Sequence, residues 1–276
     1  MLAAYILLFL LFLVLPLGAL IIKSVQDSKG HFIGLSNYVL YLKEPALFQS
    51  FFNSLFIAIV STIFVVVFAF LFAYAITRTC MPFKGFFRLI ALIPLLSPSI
   101  LAAIALVYWF GNKGILKALL FGHSIYGPIG IILASIYWTF PHALMILSTS
   151  LSLSDSRLYE AAEVLKTSKL RAFLTITIPG ARYGIISTTF VVFTQVFTDF
   201  GVPKVIGGNY NVLATDIYKE VVGMQNFQMG AVISLVLLIP AMVAFFIDQY
   251  SRKKQISLLT SRSVVFNPKK SWGVDM

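Results

Sequence analysis

Charged residues are scarce in this sequence: Asp, Glu, Lys and Arg make up 11% of its 276 residues, against about 25% in soluble domains. With 59% hydrophobic residues and a mean hydropathy of +0.92, that composition excludes a soluble globular domain and marks an integral membrane protein. Cysteine is nearly absent. Cys80 stands alone, so neither an intrachain disulfide nor a cysteine metal site can form. Histidine is equally thin, and His31, His123 and His142 lie on different segments with no H-E-x-x-H spacing to join them as metal ligands. No G-x-x-x-x-G-K-[ST] phosphate loop occurs, so the chain is not expected to bind or hydrolyse ATP itself. Glu160 and Glu163 share a segment with lysines, where a solvated helix face accounts for them better than acid/base catalysis. No enzyme and no cofactor of its own are expected. The net charge of +11 comes without a basic stripe interleaved with aromatics, which argues against nucleic acid and for membrane topology.

What is abundant is long apolar sequence. Six runs are close to the roughly 20 residues needed to cross a hydrocarbon core: about Leu2–Ile22, Phe51–Ile76, Leu89–Phe110, Ile129–Leu151, Tyr183–Val202 and Met229–Ile247. The first is too long for a signal peptide and lacks its basic lead. Six crossings put both termini on one side. Counting Lys and Arg, the second and fourth loops and the tail carry 14 and the other three loops 7, which assigns the former set, and both termini, to the cytoplasm. The expected architecture is therefore an all-α membrane protein, with a transmembrane domain over 1–250 and a basic cytosolic tail over 251–276.

Several spans carry polar or helix-breaking residues. Pro94, Pro98 and Pro141 fall inside apolar runs and predict kinked helices in a packed bundle. In the fifth span Gln195 and Asp199 are four apart, as are Thr194 and Thr198, so each pair shares a helix face. One reading has Gln195, Thr198 and Asp199 lining a translocation route; the other has Asp199 at the outer interface and Gln195 bonded between helices. Asp199 is the sole intramembrane ionisable candidate in this reading.

Between the fourth and fifth spans lies Leu153 to Pro179, a long amphipathic and charge-bearing segment. Asp155 or Ser156 can cap a helix of about three turns on which Leu158, Ala162 and Leu165 form one apolar stripe. Thr167 and Ser168 interrupt it and cap a second helix bearing Leu170, Phe173 and Leu174, which Pro179 is expected to end. Such a helix-turn-helix needs either a protein partner or the lipid surface to cover its apolar face.

Glu160-Ala161-Ala162 followed by Phe173, Ile176, Ile178 and Pro179 resembles the EAA loop of permease subunits of type I ABC importers. That family's pattern has a glycine six residues after the glutamate, where this chain has Lys166. Further stretches are similar to the same permeases: GLSNYVLYL and SFFNSLFIA early, IPLLSPSI and FGNKGIL in the middle, and IYGPIGIILASIYWTFPHALMIL ahead of the EAA segment. The run FTDFGVPKVIGGNYNVLATDIY looks most like the iron(III) and 2-aminoethylphosphonate branch, with polyamine and thiamine importers as neighbours.

The resemblance implies a permease in the inner membrane that forms a pathway with a second permease core. A dimer of separate ATP-binding subunits would dock from the cytosol, and an extracytoplasmic solute-binding protein would deliver a small solute. Glu160 would then be the charged contact to the ATPase. Ala161, Ala162 and Leu165 would pack against it, and Lys166 and Pro179 would shape the loop. The segment Lys204 to Tyr218 would face outward, either as docking surface or as a polar connection with a short helix over about Val212–Val222. A start without a hydrophilic lead and a tail ending in SWGVDM are compatible with one half of a duplicated permease. The rival readings are a six-span secondary transporter and a membrane scaffold, neither coupled to ATP.

Overall fold

A computed structural model describes residues 2–153 and 156–258, and these are almost entirely helical. The chain begins with α1 (Leu2–Phe9) and α2 (Leu15–Ser24), joined by a π turn at Leu10–Val14 into one apolar rod. Residues Ala4–Ser24 are long and apolar enough to span a membrane, and they lie at the edge of the bundle, largely exposed until Ser24, with α2 packed against the last helix of the chain. Hydrogen bonds anchor the far end of α2. There Asn37 Nδ2 donates to the carbonyls of Ser24 and Gln26, both at 2.9 Å, and Tyr38 Oη donates to Ser24 Oγ at 2.9 Å. Asn37 and Tyr38 belong to α3 (Ser36–Lys43).

The central strut is α4 (Pro45–Arg78), 34 residues and hence about 50 Å long. It runs unbroken because no glycine or proline follows Pro45 within it. Its buried face is rich in small residues, among them Ser50, Ser54, Ala58, Ser61, Ala69 and Ala73. In an apolar solvent, helix association depends on close backbone approach, which small side chains permit. Against this face lies α7 (Pro128–Ser152), which contains Pro141 without breaking.

The third span is not the single helix expected over Leu89–Phe110. Instead α5 (Lys84–Leu92) leads through a 3₁₀ turn at Ile93–Leu96 into α6 (Ser99–Phe110), and the two halves are bent by 104°. Proline accounts for the break. Ser97, preceding Pro98, is forced out of helical conformation (φ −110°, ψ 143°), and Pro98 itself is extended (φ −68°, ψ 154°). The kink foreseen from Pro94 and Pro98 is thus a full corner, whereas Pro141 makes no break at all.

Next come α8 (Ser156–Val164), α9 (Lys169–Ala172) and α10 (Ile178–Phe197). Pro179 was expected to end the second helix of this loop, and it does not. A π turn at Phe173–Thr177 connects α9 to α10, so that Lys169–Phe197 forms one candidate span with Pro179 inside it. The amide of Ile178 reaches back to the carbonyl of Phe173, and this widened turn directly ahead of the proline accommodates its missing donor and bulky ring. The helix then stops at Phe197, and Val202, expected at the end of the fifth span, belongs to the separate α11 (Gly201–Ile206).

After α11 the chain forms α12 (Leu213–Tyr218), a π turn at Lys219–Gly223, and α13 (Phe227–Leu258). The short helix expected near Val212–Val222 is present. Its surroundings are not those of a polar connection, because Val202, Pro203, Ile206 and Leu213 are buried in the core. Helix α10 packs against α4, α7 and α13, and the core of this four-helix arrangement is built from Val65, Leu144, Leu147, Val192 and Ile233. The last helix passes the expected end at Ile247, continuing to Leu258. On it Asp248, an ionisable residue within a spanning segment, is buried and accepts a hydrogen bond from Ser187 Oγ of α10, whereas Asp199 lies just past the end of α10. Residues 259–276, most of the basic tail, lie outside the described residues.

Candidate functional site

The loop between the fourth and fifth spans is a helix-turn-helix. Ser156 is the first residue of α8, and Asp155, the other capping candidate, lies outside the described residues. Along α8 the expected stripe divides. Ala162 is 8% exposed and turned toward the bundle, while Leu158 and Leu165 are 55% and 76% exposed. Glu160, Ala161 and Lys166 are exposed as well, and so is Pro179 at the start of α10. Val164 and Leu170 add further uncovered apolar surface to the same loop. Tyr159 instead faces inward and shares a hydrogen bond of 2.9 Å with Thr177 Oγ1.

The turn itself is a Schellman-type C-cap. The Thr167 amide donates to the carbonyl of Ala162 at 2.9 Å, and the Lys166 amide donates to that of Glu163 at 3.0 Å. That geometry requires a left-handed residue, and Lys166 supplies it with φ +51°. A lysine therefore holds the conformation that glycine adopts without steric cost. Ser168 then caps α9, its side chain accepting from the Arg171 amide at 3.3 Å. Replacing Lys166 with glycine is expected to preserve the fold: relief of about 1 kcal/mol of left-handed strain is offset by a comparable gain in unfolded-chain entropy. Lys166→Ile, with a branched side chain at positive φ, is expected to lower stability by about 1–2 kcal/mol. Thermal unfolding of the two purified variants checks the pair.

The three pathway candidates stand in different environments. Gln195 is half-buried on α10. Thr198 is exposed at the helix end, with its hydroxyl bonded to the carbonyl of Thr194 at 2.8 Å. Asp199 is engaged on both oxygens: Oδ1 accepts from Ser99 Oγ at 2.6 Å and Oδ2 from the Val202 amide at 2.9 Å. It joins the start of α6, just past the proline corner, to α11. Gly201 permits this contact, since a Cβ there would sit 2.7 Å from Ser99 Oγ.

At the end of the bundle opposite α8, a cavity of about 550 Å³ opens between α3, the start of α4, and the α12 segment. Its polar lining includes Glu44, Asn211, Asp216, Lys219, Glu220 and Asn226. Asp216 and Glu220 are buried. Lys219 Nζ lies 3.6 Å from Asp216 Oδ1, and Asn226 Nδ2 donates to Glu220 Oε2 at 3.0 Å. Burial pushes the Asp216 carboxyl above the usual carboxylate range against the pull of Ser50 and Lys219, and burial raises Glu220 likewise. Asn211 and Asp216 lie in the segment expected to face outward, but the sequence pattern does not single out Glu44, Glu220 or Asn226. The available signal was TDIYKE, a concentration of charge within a chain that has only 10 acidic residues.

The raised Asp216 value fixes a sign. A carboxyl whose folded pKa exceeds its unfolded one disfavours the folded state at neutral pH, and this penalty disappears as pH falls through the folded value toward about 4. The stability of the wild type relative to Asp216→Asn is therefore expected to rise as pH falls from 7 toward about 4. Parallel thermal-unfolding series in detergent would measure it, and a pH-independent difference would contradict it.

Residues 81–256 match the family described as binding-protein-dependent transport system inner membrane components. Among similar proteins are a putative ferric transport system permease, FbpB 1, of Haemophilus influenzae, 29% identical over 89% of this chain and 40% of its own length, and FbpB of Actinobacillus pleuropneumoniae, 28% identical over 90% and 37%. The chain thus spans about two fifths of the length of these ferric permeases. The spermidine/putrescine permease PotB of Escherichia coli is 26% identical over 74% of this chain and 78% of its own. A bacterial alginate ABC transporter, solved in complex with an alginate pentasaccharide-bound periplasmic protein, has a chain of the same fold: TM-score 0.73, 18% identity, and coverage of 96% of this chain and 95% of that one. Through the match over 81–256, which takes in the helix-turn-helix and four of the spanning segments, the chain belongs to the family of binding-protein-dependent transport system inner membrane components.

Proposed function

We propose that this chain forms one half of the translocation pathway of an ATP-driven importer, with iron(III) as its cargo. The observation that carries the ATP-coupled part is α8. It is a helix between two spanning segments that presents Glu160, Ala161 and Leu165 to solvent, while its Ala162 is buried and its connection runs through α9 into α10 as one rod. A surface of this kind suits a cleft on a soluble partner, which in this reading is a dimer of ATP-binding subunits on the cytosolic side. Movement of that partner is transmitted as rigid-body displacement of helices, giving alternating access with no covalent chemistry in this chain.

Iron(III) is favoured over 2-aminoethylphosphonate by the two ferric permeases at 29% and 28% identity. Polyamine uptake is the second reading, favoured by the spermidine/putrescine permease at 26%. The second permease core is either another chain or a fused half. An extracytoplasmic binding protein docks on the face opposite α8, where exposed Lys204 lies over the ring of Tyr218 at 4.2 Å. Gln195 and Thr198 lie on the pathway, and Asp199 shapes its outer end through Ser99 and Val202.

The deciding experiment is purification of the tagged chain from mild detergent, with identification of co-purifying proteins and a vanadate-sensitive ATPase assay. Recovery of a phosphate-loop ATPase supports the importer, and its companion binding protein identifies the cargo. An intact, monodisperse chain without an ATPase but with ion-gradient-driven uptake favours the secondary transporter, and capture of a different partner without uptake favours the scaffold.

A further inference from the structure

Arg78 occupies a junction of four elements. It is the last residue of α4 and is 8% exposed. Its Nη2 donates to the carbonyl of Leu151, in the last turn of α7, at 2.6 Å. Carbonyls in a final turn lack intrahelical partners and carry the negative end of the helix dipole, so a guanidinium suits that position. The same guanidinium lies over the ring of Tyr159 on α8, 4.7 Å from its centroid. Tyr159 Oη in turn meets Thr177 Oγ1 in the π turn ahead of Pro179. A chain of contacts thus runs from the ends of α4 and α7 through Tyr159 to the root of α10.

Helix α8 has nine residues, of which only Ser156 and Ala162 are buried. So little burial does not fix the position of a short helix on the bundle. We propose that Arg78 and Tyr159 form a latch, a pair of positioning residues that ties α8 to α4 and α7, so that displacement of α8 moves these two helices as well as α10. The inference rests on the reading of α8 as the ATPase-coupling helix and specifies how its motion reaches the opposite end of the bundle. Covalent continuity through α9 moves α10 directly and reaches α4 and α7 only through its packing against them. The latch recruits α4, whose length places its far end beside the cavity lined by Glu44. Arginine suits this role because its planar guanidinium stacks flat on an aromatic ring while its in-plane N–H groups donate to a carbonyl, whereas a lysine ammonium is a point charge without that fixed geometry.

The test uses the complex with its ATPase and needs no knowledge of the cargo. Met224 is exposed and lines the cavity at the far end. With Cys80→Ser and Met224→Cys as background, the rate of labelling by a membrane-impermeant maleimide is compared with and without ATP and vanadate. The wild-type latch is expected to give about a fivefold difference between the two states, reflecting a shifted conformational equilibrium. Arg78→Ala and Tyr159→Leu are expected to retain the ATPase and vanadate trapping while losing that difference. Tyr159→Phe, which keeps the ring under the guanidinium, is expected to retain most of it. Arg78→Lys replaces Arg78→Ala if the latter is not monodisperse, with the same expected loss.

An undiminished response in the Arg78 and Tyr159 variants overturns the latch and leaves the coupling reading intact. Loss of the ATPase from those variants also overturns it, since the pair would then serve docking. A wild type that holds its ATPase without any response at Met224 overturns it too, because there is no far-end motion to carry. A wild type that holds no ATPase removes the coupling reading itself.

Discussion

Reversing the charge at Glu160 (Glu160→Lys) is expected to abolish uptake and to strip the ATPase from the purified complex, while the membrane chain remains folded. The side chain is exposed on α8, and lysine is nearly as good a helix former as glutamate, so the substitution leaves the bundle untouched. Its effect falls on docking. Removing one partner of a buried, hydrogen-bonded charge pair costs about 2–5 kcal/mol, or roughly 30-fold to several thousand-fold in affinity. Reversal adds repulsion to that loss. The measurement is retention of the ATPase during purification, with Lys166→Gly, which alters the same loop without altering its exposed glutamate, as the reference. Full retention by Glu160→Lys would place the partner's contact elsewhere on the chain.

Five of the six spanning segments are legible in the sequence because hydropathy reports the one thing that matters for insertion, a long apolar run. The third shows what hydropathy omits. Residues on both sides of Ser97-Pro98 are apolar, so the run reads straight through a corner of 104°. Proline alone does not resolve this, since Pro141 lies within an unbroken α7 and Pro179 within a continuous rod. The difference is local. Ser97 yields to Pro98 by leaving the helix, whereas the π turn at Phe173–Thr177 widens the helix ahead of Pro179. Which response a proline draws depends on tertiary packing, a property no single window contains.

The candidate site is legible to a similar extent. Glu160-Ala161-Ala162 can be found by residue identity, and its place between two spans follows from the apolar pattern. That Ala162 alone of the stripe faces the bundle was not legible, because periodicity gives a face without saying what that face meets. Nor was the left-handed Lys166: lysine carries no preference for positive φ, and the turn shows itself only in the bonds from Thr167 and Lys166 back into α8. Arg78 and Tyr159 are far apart in sequence and of different chemistry, and Glu44 and Asp216, which line one cavity, are also far apart in sequence. Contacts of that kind arise from how α4 lies in the bundle.

Gly184→Ala is expected to loosen that bundle where α10 crosses close to α7. A Cβ at this position would stand 2.2 Å from Ser150 Oγ and 2.3 Å from Ser150 Cβ. Rotation about the serine side chain can move Oγ away, but Cβ is set by the backbone of α7, so relief requires α7 and α10 to separate. Helices in lipid hold together by close packing, with no hydrophobic drive to re-form a contact once it is pried open. Overpacking of this kind costs about 1–3 kcal/mol, equivalent to a fall of about 3–10 °C in thermal midpoint for a chain of this size. The second arm is Ser150→Gly combined with Gly184→Ala, which removes the obstructing carbon from the opposite helix and is expected to recover much of the loss. Additive destabilisation by the two substitutions would mean that they do not share a contact. Recovery would establish that α7 and α10 meet at these two residues, directly behind the helix-turn-helix whose movement α10 carries.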